Sequence, residues 1–277
     1  MRLRLRLASR PENVAVVRAA LSGLAGAAGL SRERTIDLKT AVSEACNNVC
    51  LHAYPEDEFG PMLVEADLRP DGLEVAVIDH GSGITHVSNR RGRMGLGLAL
   101  INALSDATEF RRAAGGGADV RMRFAWPLDR VVAACADGAG DPLGGATPGA
   151  TAADDLQAPL DFAGEVVLWC QPSRLQRPVL LRLLTYLAAT AHFSVDSLAY
   201  LSRVNAGIAH EVDVAGDGWI GASIDAEPRH LHLTIAPLLA DREAGAASGL
   251  TDEVAALERE RLDGRVALHF TIADRQG

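Results

Sequence analysis

The chain has 277 residues, the length of two ordinary domains, and its hydrophobic content of 48% is enough to build cores although aromatics reach only 4%. A net charge of -9 argues against a nucleic-acid-binding surface as the main business of the protein, and no apolar run is long enough to cross a membrane. The cores are expected to be Leu, Val, Ala and Ile, and the expected location is the cytoplasm.

Arg2-Leu3-Arg4-Leu5-Arg6-Leu7 alternates charge and Leu. That is the period of a strand, not the continuous apolar core of a secretory signal. Ser9 and Pro11 predict a helix start, and residues 12–28 repeat Val and Leu at helical spacing. Ser31 predicts the N-cap of a second helix, which Tyr54-Pro55 ends because a residue before proline is pushed out of the helical region. Along this helix Glu44, Asn48 and His52 follow one another in steps of four, beside an apolar face of Val42, Ala45, Val49 and Ala53. Such a Glu can polarise a hydroxyl or a water, and such an Asn can offer a neutral oxygen to a hard cation such as Mg2+. Taken alone, the pair is more often the pattern of a solvated helix face. Cys46 and Cys50 read as small buried thiols. Together with Cys135 and Cys170 they make no Cys-x-x-Cys pair, so neither zinc nor a disulfide is expected.

Strands are predicted over Met62–Arg69 and Leu73–Asp79, joined by the turn Pro70-Asp71-Gly72. The second closes as Val77-Ile78-Asp79-His80-Gly81-Ser82-Gly83. A polar, basic segment over 84–94 follows, in which Arg90, Arg91 and Arg93 either meet phosphates or form a solvated loop. Gly92-Arg93-Met94-Gly95-Leu96-Gly97 then opens a helix to about Ser105. At such a start, exposed N–H groups and the helix dipole favour phosphate oxygens. Strands at 108–112 and 120–126 bracket Gly115-Gly116-Gly117.

Residues 131–160 lose apolar periodicity and are rich in Ala, Gly, Asp, Pro and Thr, which predicts a flexible linker between domains at 1–130 and 161–277. Beyond it the chain starts again: a strand at 165–170, helices from Ser173 to Ala191 and from Ser194 to Glu211, strands near 219–226 and 230–236, a helix near 251–262 and a last strand near 265–273. An offset of 163 aligns Val16, Leu21, Leu24, Ala25, Ala28, Ser31 and Leu38 with Val179, Leu184, Leu187, Ala188, Ala191, Ser194 and Leu201, seven identities over thirty-five positions. A degenerate second copy of one fold is the reading this supports. Glu44 then faces Gly207, Asn48 faces Glu211, and the Asp79 position falls near Pro237, so no second nucleotide site is expected. His230 and His232 share a strand face, but with no third ligand they read as ordinary strand histidines.

The three blocks around Glu44–Asn48, Asp79–Gly83 and Gly95–Gly97 resemble the N, G1 and G2 boxes of the ATP-binding fold shared by gyrase, histidine kinases and MutL, the GHKL superfamily. Glu44-Ala-x-x-Asn48-x-x-x-His52-Ala-Tyr54 is similar to the anti-sigma-factor serine/threonine kinase family, over roughly residues 1–128. The resemblance implies an α+β fold: a two-layer α/β sandwich of GHKL type, its mixed sheet covered on one face by helices, here present twice. It implies ATP and Mg2+ as cofactors. Asp79 would accept a hydrogen bond from the adenine amine, with Gly81 and Gly83 allowing close approach. Arg93, Gly95, Leu96 and Gly97 would meet the phosphates, Asn48 would hold Mg2+, and Glu44 would be the general base. The implied partners are an anti-anti-sigma protein of the STAS type, a sigma factor, or both, with either a homodimer or an internal pseudo-dimer. The family often has Gly-Gly-Thr before its last strand where this chain has Gly116-Gly117-Ala118. His52 is expected only to cap or pack.

Two functions remain: a kinase of a Ser or Thr on an antagonist protein, and a non-catalytic module that uses ATP to switch partners. Glu44 favours the first. A sensor histidine kinase would need a preceding dimerisation helix with a phospho-accepting His, and a gyrase or MutL role a transducer domain; neither is expected here.

Overall fold

A computed structural model of the chain describes residues 1–82, 94–125, 164–171, 175–212, 218–239, 250–262 and 265–275. In the amino-terminal half these form β1 (Arg2–Ala8), α1 (Asn13–Ala27), α2 (Arg32–His52), β2 (Pro61–Arg69), β3 (Gly72–Asp79), α3 (Met94–Leu104), β4 (Ala107–Arg112) and β5 (Ala118–Ala125). The carboxy-terminal half repeats the order with β6 (Val166–Gln171), α4 (Gln176–Thr190), α5 (Val195–Val212), β7 (Ile220–Glu227), β8 (His230–Leu239), α6 (Leu250–Glu253), β9 (Ala255–Leu262) and β10 (Arg265–Ala273). The predicted linker at 131–160 and the basic segment at 84–93 lie outside the described residues.

The ten strands of the described residues join one sheet in the order β4-β5-β3-β2-β1-β6-β7-β8-β10-β9. Every pairing is antiparallel, which corrects the expected mixed sheet. The connections explain why. The α1–α2 hairpin returns the chain to the end of the sheet it left, so Pro61 starts β2 opposite Ala8 at the end of β1. The single helix α3 does carry the chain to the far end, so β4 runs the same way as β3. But β5 inserts between them and pairs with both.

The strands alternate. Leu3, Leu5 and Leu7 of β1 and Met62, Val64, Ala66 and Leu68 of β2 are buried, while the residues between them carry charge or lie less deep. Their inward side chains and the apolar faces of α1, α2, α4 and α5 belong to one core running through both halves. Each fully buried Leu there contributes roughly 1.5–3 kcal/mol. The other sheet face of the amino-terminal half is an ion-pair ladder: Arg4 with Glu65 at 2.9 Å, Arg121 with Asp119 at 3.0 Å, and Arg121 with Glu74 at 3.3 Å.

Ser31 caps α2 as expected, its hydroxyl accepting from Arg34 N at 3.2 Å. Ser9 does not cap α1. Its Oγ accepts from Gly60 N at 3.1 Å, fastening the end of β1 to the start of β2, and α1 starts after Glu12 without a side-chain cap. The expected helix at 251–262 is a second correction. Only the short α6 is helical, and Ala-Ala-Leu-Glu-Arg-Glu-Arg-Leu pairs along β10 as the edge strand β9. Those residues are good helix formers, but edge pairing outweighs a propensity of tenths of a kcal/mol per residue.

Candidate functional site

Glu44 and Asn48 lie one turn apart on α2, which packs against the start of α3. Gly97 lies in that contact. A Cβ placed there would stand 3.2 Å from Glu44 Oε2 and 3.8 Å from Asn48 Oδ1. One carboxylate oxygen and one neutral amide oxygen therefore converge on the first turn of an eleven-residue helix whose leading N–H groups have no helical partner. Gly95 and Leu96 occupy that turn. Gly83 and Arg93 lie outside the described residues.

Asp79 ends β3 with 2% exposure, and its Oδ1 accepts from Gly81 N at 2.8 Å. Each oxygen of a carboxylate has two acceptor positions, so this bond leaves acceptor capacity in the group. Two glycines allow the chain to close around it. Gly117, at φ +82°, runs so close that a Cβ would fall 2.1 Å from the Asp79 carbonyl and 2.7 Å from Oδ1. At Gly81 a Cβ would fall 1.9 Å from the Ala53 carbonyl. Both requirements are steric.

The end of α2 grips the same turn. Ser82 N donates to the Ala53 carbonyl at 2.8 Å and Ser82 Oγ to the His52 carbonyl at 3.3 Å. Tyr54 accepts from His80 N at 3.1 Å while its hydroxyl donates to the Pro61 carbonyl at 2.7 Å. Its ring lies where a Cβ at Gly60 would be. Burial pushes the Tyr54 phenol up, opposed by the His80 N–H and reinforced by the Asp79 charge. Sequence reasoning gave Tyr54 no role beyond ending the helix. Its partners His80 and Pro61 are distant or featureless in sequence, and only the His-Ala-Tyr resemblance pointed to it. His52 is exposed and enters only through its carbonyl.

Cys46 is buried with its thiol pushed up by desolvation first and the Cys50 charge second, which makes it an inert packing group. Cys46, Cys50 and Cys170 are free. His232 Nδ1 meets Thr271 Oγ1 at 3.0 Å, and His230 stacks on His232 at 6.3 Å on the open sheet face. Among the described residues no cluster of three His, Cys, Asp or Glu is arranged to hold a metal ion. The Glu44–Asn48 pair instead has the donor set of a hard cation that keeps water and phosphate ligands.

At the sequence offset of 163, Gly207 on α5 aligns with Glu44, and Leu250, fully buried, packs on Gly207 with Cβ 3.2 Å from where a Cβ of that glycine would be. Glu211, opposite Asn48 in the offset, is drawn to Arg259 of β9 at 3.4 Å.

The model of the histidine kinase-like ATPase domain matches residues 7–124. The serine-protein kinase RsbW of Bacillus subtilis is 32% identical over 127 residues, covering 41% of this chain and 79% of that protein. RsbW of Bacillus licheniformis is 34% identical over 137 residues, covering 44% and 84%. RsbW of Listeria innocua is 38% identical over 120 residues, covering 38% and 76%.

Proposed function

Because this chain belongs to the histidine kinase-like ATPase family that includes the serine-protein kinases RsbW, we propose that its amino-terminal half binds ATP with Mg2+ and phosphorylates a Ser or Thr of a partner protein. The partner in this reading is an anti-anti-sigma protein of the STAS type, and its phosphorylation decides whether the chain holds a sigma factor. The observation that carries the reading is the convergence of Glu44 Oε2 and Asn48 Oδ1 on Gly97 at the start of α3.

Asp79 accepts a hydrogen bond from the adenine amine at the floor of the cleft, and Gly81 and Gly83 let the base approach the backbone. The N–H groups of Gly95, Leu96 and Gly97 receive phosphate oxygens, and Arg93 adds charge. Asn48 would hold Mg2+ through its amide oxygen, and the charge neutralisation that phosphoryl transfer needs would come from that ion. Glu44, one turn from Asn48 on the same helix, takes the proton of the incoming hydroxyl as its oxygen bonds the γ-phosphorus and the bond to ADP breaks, ADP leaving. Alanine at 118 supplies no hydroxyl to the nucleotide, which weakens affinity relative to a threonine there.

Residues 1–130 form the ATP-binding domain in this reading, 131–160 a linker, and 161–277 a degenerate copy without a nucleotide site. The identical order of elements and strands in the two halves supports the copy, and the Gly207–Leu250 contact supports the loss.

The test is transfer of labelled γ-phosphate from ATP to a co-purified antagonist. Glu44→Gln should reduce the transfer rate by at least about 10²-fold while ATP still binds. Wild-type protein that binds ATP and the antagonist yet transfers nothing would establish the non-catalytic switching module instead.

A further inference from the structure

One transverse row of residues crosses the whole sheet: Phe110, Val120, Val77, Val64, Leu5, Leu168, Ala222, Ile235, Leu268, Arg259. Its centre is the pair Leu5–Leu168, and these two residues are each other's counterparts at the offset of 163. Arg6 pairs with Val167 and Arg4 with Trp169, the counterpart of Arg6, so the register is that of two strands related by a twofold axis. A self-complementary register is what an isologous contact between identical subunits produces. Here it lies within one chain.

We infer that the carboxy-terminal half serves as a built-in second subunit: it occupies the β1 edge and the α1 face that another copy of the chain would need, so the protein is a monomer with one nucleotide site per particle. The inference rests on the reading of residues 161–277 as a degenerate copy.

The contact across the axis is no longer symmetric, which ties it to this one partner. At Gly23 of α1 the α4 backbone comes so near that a Cβ would lie 2.6 Å from the Pro178 carbonyl and 2.7 Å from Val179 Cα. The counterparts of Gly23 and Pro178 are Tyr186 and Ala15. Two amino-terminal halves would set Gly23 against Ala15 instead and lose that fit. The outermost strands among the described residues, β4 and β9, discourage strand addition. β4 carries Glu109, Arg111 and Arg112, and β9 carries Glu258, Arg259, Glu260 and Arg261. Charged edge strands resist pairing with another chain.

The test uses the full chain. Light scattering across concentrations from about 1 to about 100 µM, with and without ATP and Mg2+, should give a constant mass near 29.2 kDa. ATP titration should saturate at one per chain. In the variant Arg6→Cys/Val167→Cys, whose positions are directly opposed, oxidation should crosslink within one chain and leave a single-chain band under denaturing, non-reducing conditions. A mass that doubles with concentration, or a crosslink between chains, would overturn the inference by showing that β1 and β6 meet in trans. A constant single-chain mass with two nucleotides bound would uphold the internal pairing and refute the degenerate-copy reading.

Discussion

Gly97 faces Glu44 across the α2–α3 contact so closely that a single added carbon would stand 3.2 Å from the carboxylate. Gly97→Val is expected to push α3 away from Glu44 and Asn48 and to weaken ATP binding by about tenfold or more, about 1.4 kcal/mol. Calorimetric titration with ATP and Mg2+ checks this. A variant that binds ATP like the wild type would show that the start of α3 is not where phosphate sits.

Tyr54→Phe removes a hydroxyl that accepts from His80 N and donates to the Pro61 carbonyl. The expected cost is about 1 kcal/mol in chemical denaturation. ATP affinity should fall with Mg2+ present or absent, because the loosened turn carries Asp79 and not the cation. A loss confined to Mg2+-containing buffer would count against this assignment.

Gly117→Ala forces a side chain into a left-handed conformation and toward the Asp79 carbonyl, 2.1 Å away. The conformational strain alone is roughly 1–3 kcal/mol. A lower unfolding midpoint and weaker nucleotide binding should appear together. An unchanged midpoint would mean that the Gly117 turn does not press on Asp79.

Asp274, its side chain 2% exposed, is held below the usual carboxylate range by the Ser197 hydroxyl first, with Ser194 and Arg229 adding to it. Its carboxylate accepts from Ser194 Oγ at 2.8 Å and from Arg229 Nε at 2.9 Å, fastening the end of β10 to the start of α5. A carboxylate whose folded pKa is depressed stabilises the fold above its unfolded value of about 3.9 and loses that contribution as pH falls below it. Acid unfolding should therefore steepen below about pH 4 in the wild type. The Asp274→Asn variant should be less stable at neutral pH and show a flatter acid limb. Parallel profiles for the two proteins would contradict this.

Leu250→Ala is expected to destabilise the chain by about 2–5 kcal/mol through the cavity left against Gly207. ATP should still bind with unchanged affinity below the unfolding transition. A change in affinity would mean that the Gly207–Leu250 contact is coupled to ATP binding.

Much of the amino-terminal half was legible in sequence because its signals are local. Alternation in Arg2–Leu7, the Ser31 cap and the Pro70-Asp71 turn each depend on neighbours along the chain. The Glu44–Asn48 face was legible as spacing, but its meeting with Gly97 depends on the α2–α3 contact, which no single stretch encodes. Tyr54 went unread for the same reason. In the other half, Ala255–Leu262 misled because helix-forming residues were drafted into an edge strand by β10. That misreading hid the strand that makes the two halves match element for element. The antiparallel sheet was hidden too, since nothing local says that β5 will insert between β3 and β4.

If Asp79 floors a single adenine-nucleotide site, calorimetric titration of the full chain with ATP, in Mg2+ and in excess chelator, should saturate at one ATP per chain and show weaker binding without Mg2+, and the Asp79→Asn variant should lose the preference for adenine over guanine. No detectable binding by the wild type, or an Asp79→Asn variant that binds ATP with the same affinity and base preference, would contradict it.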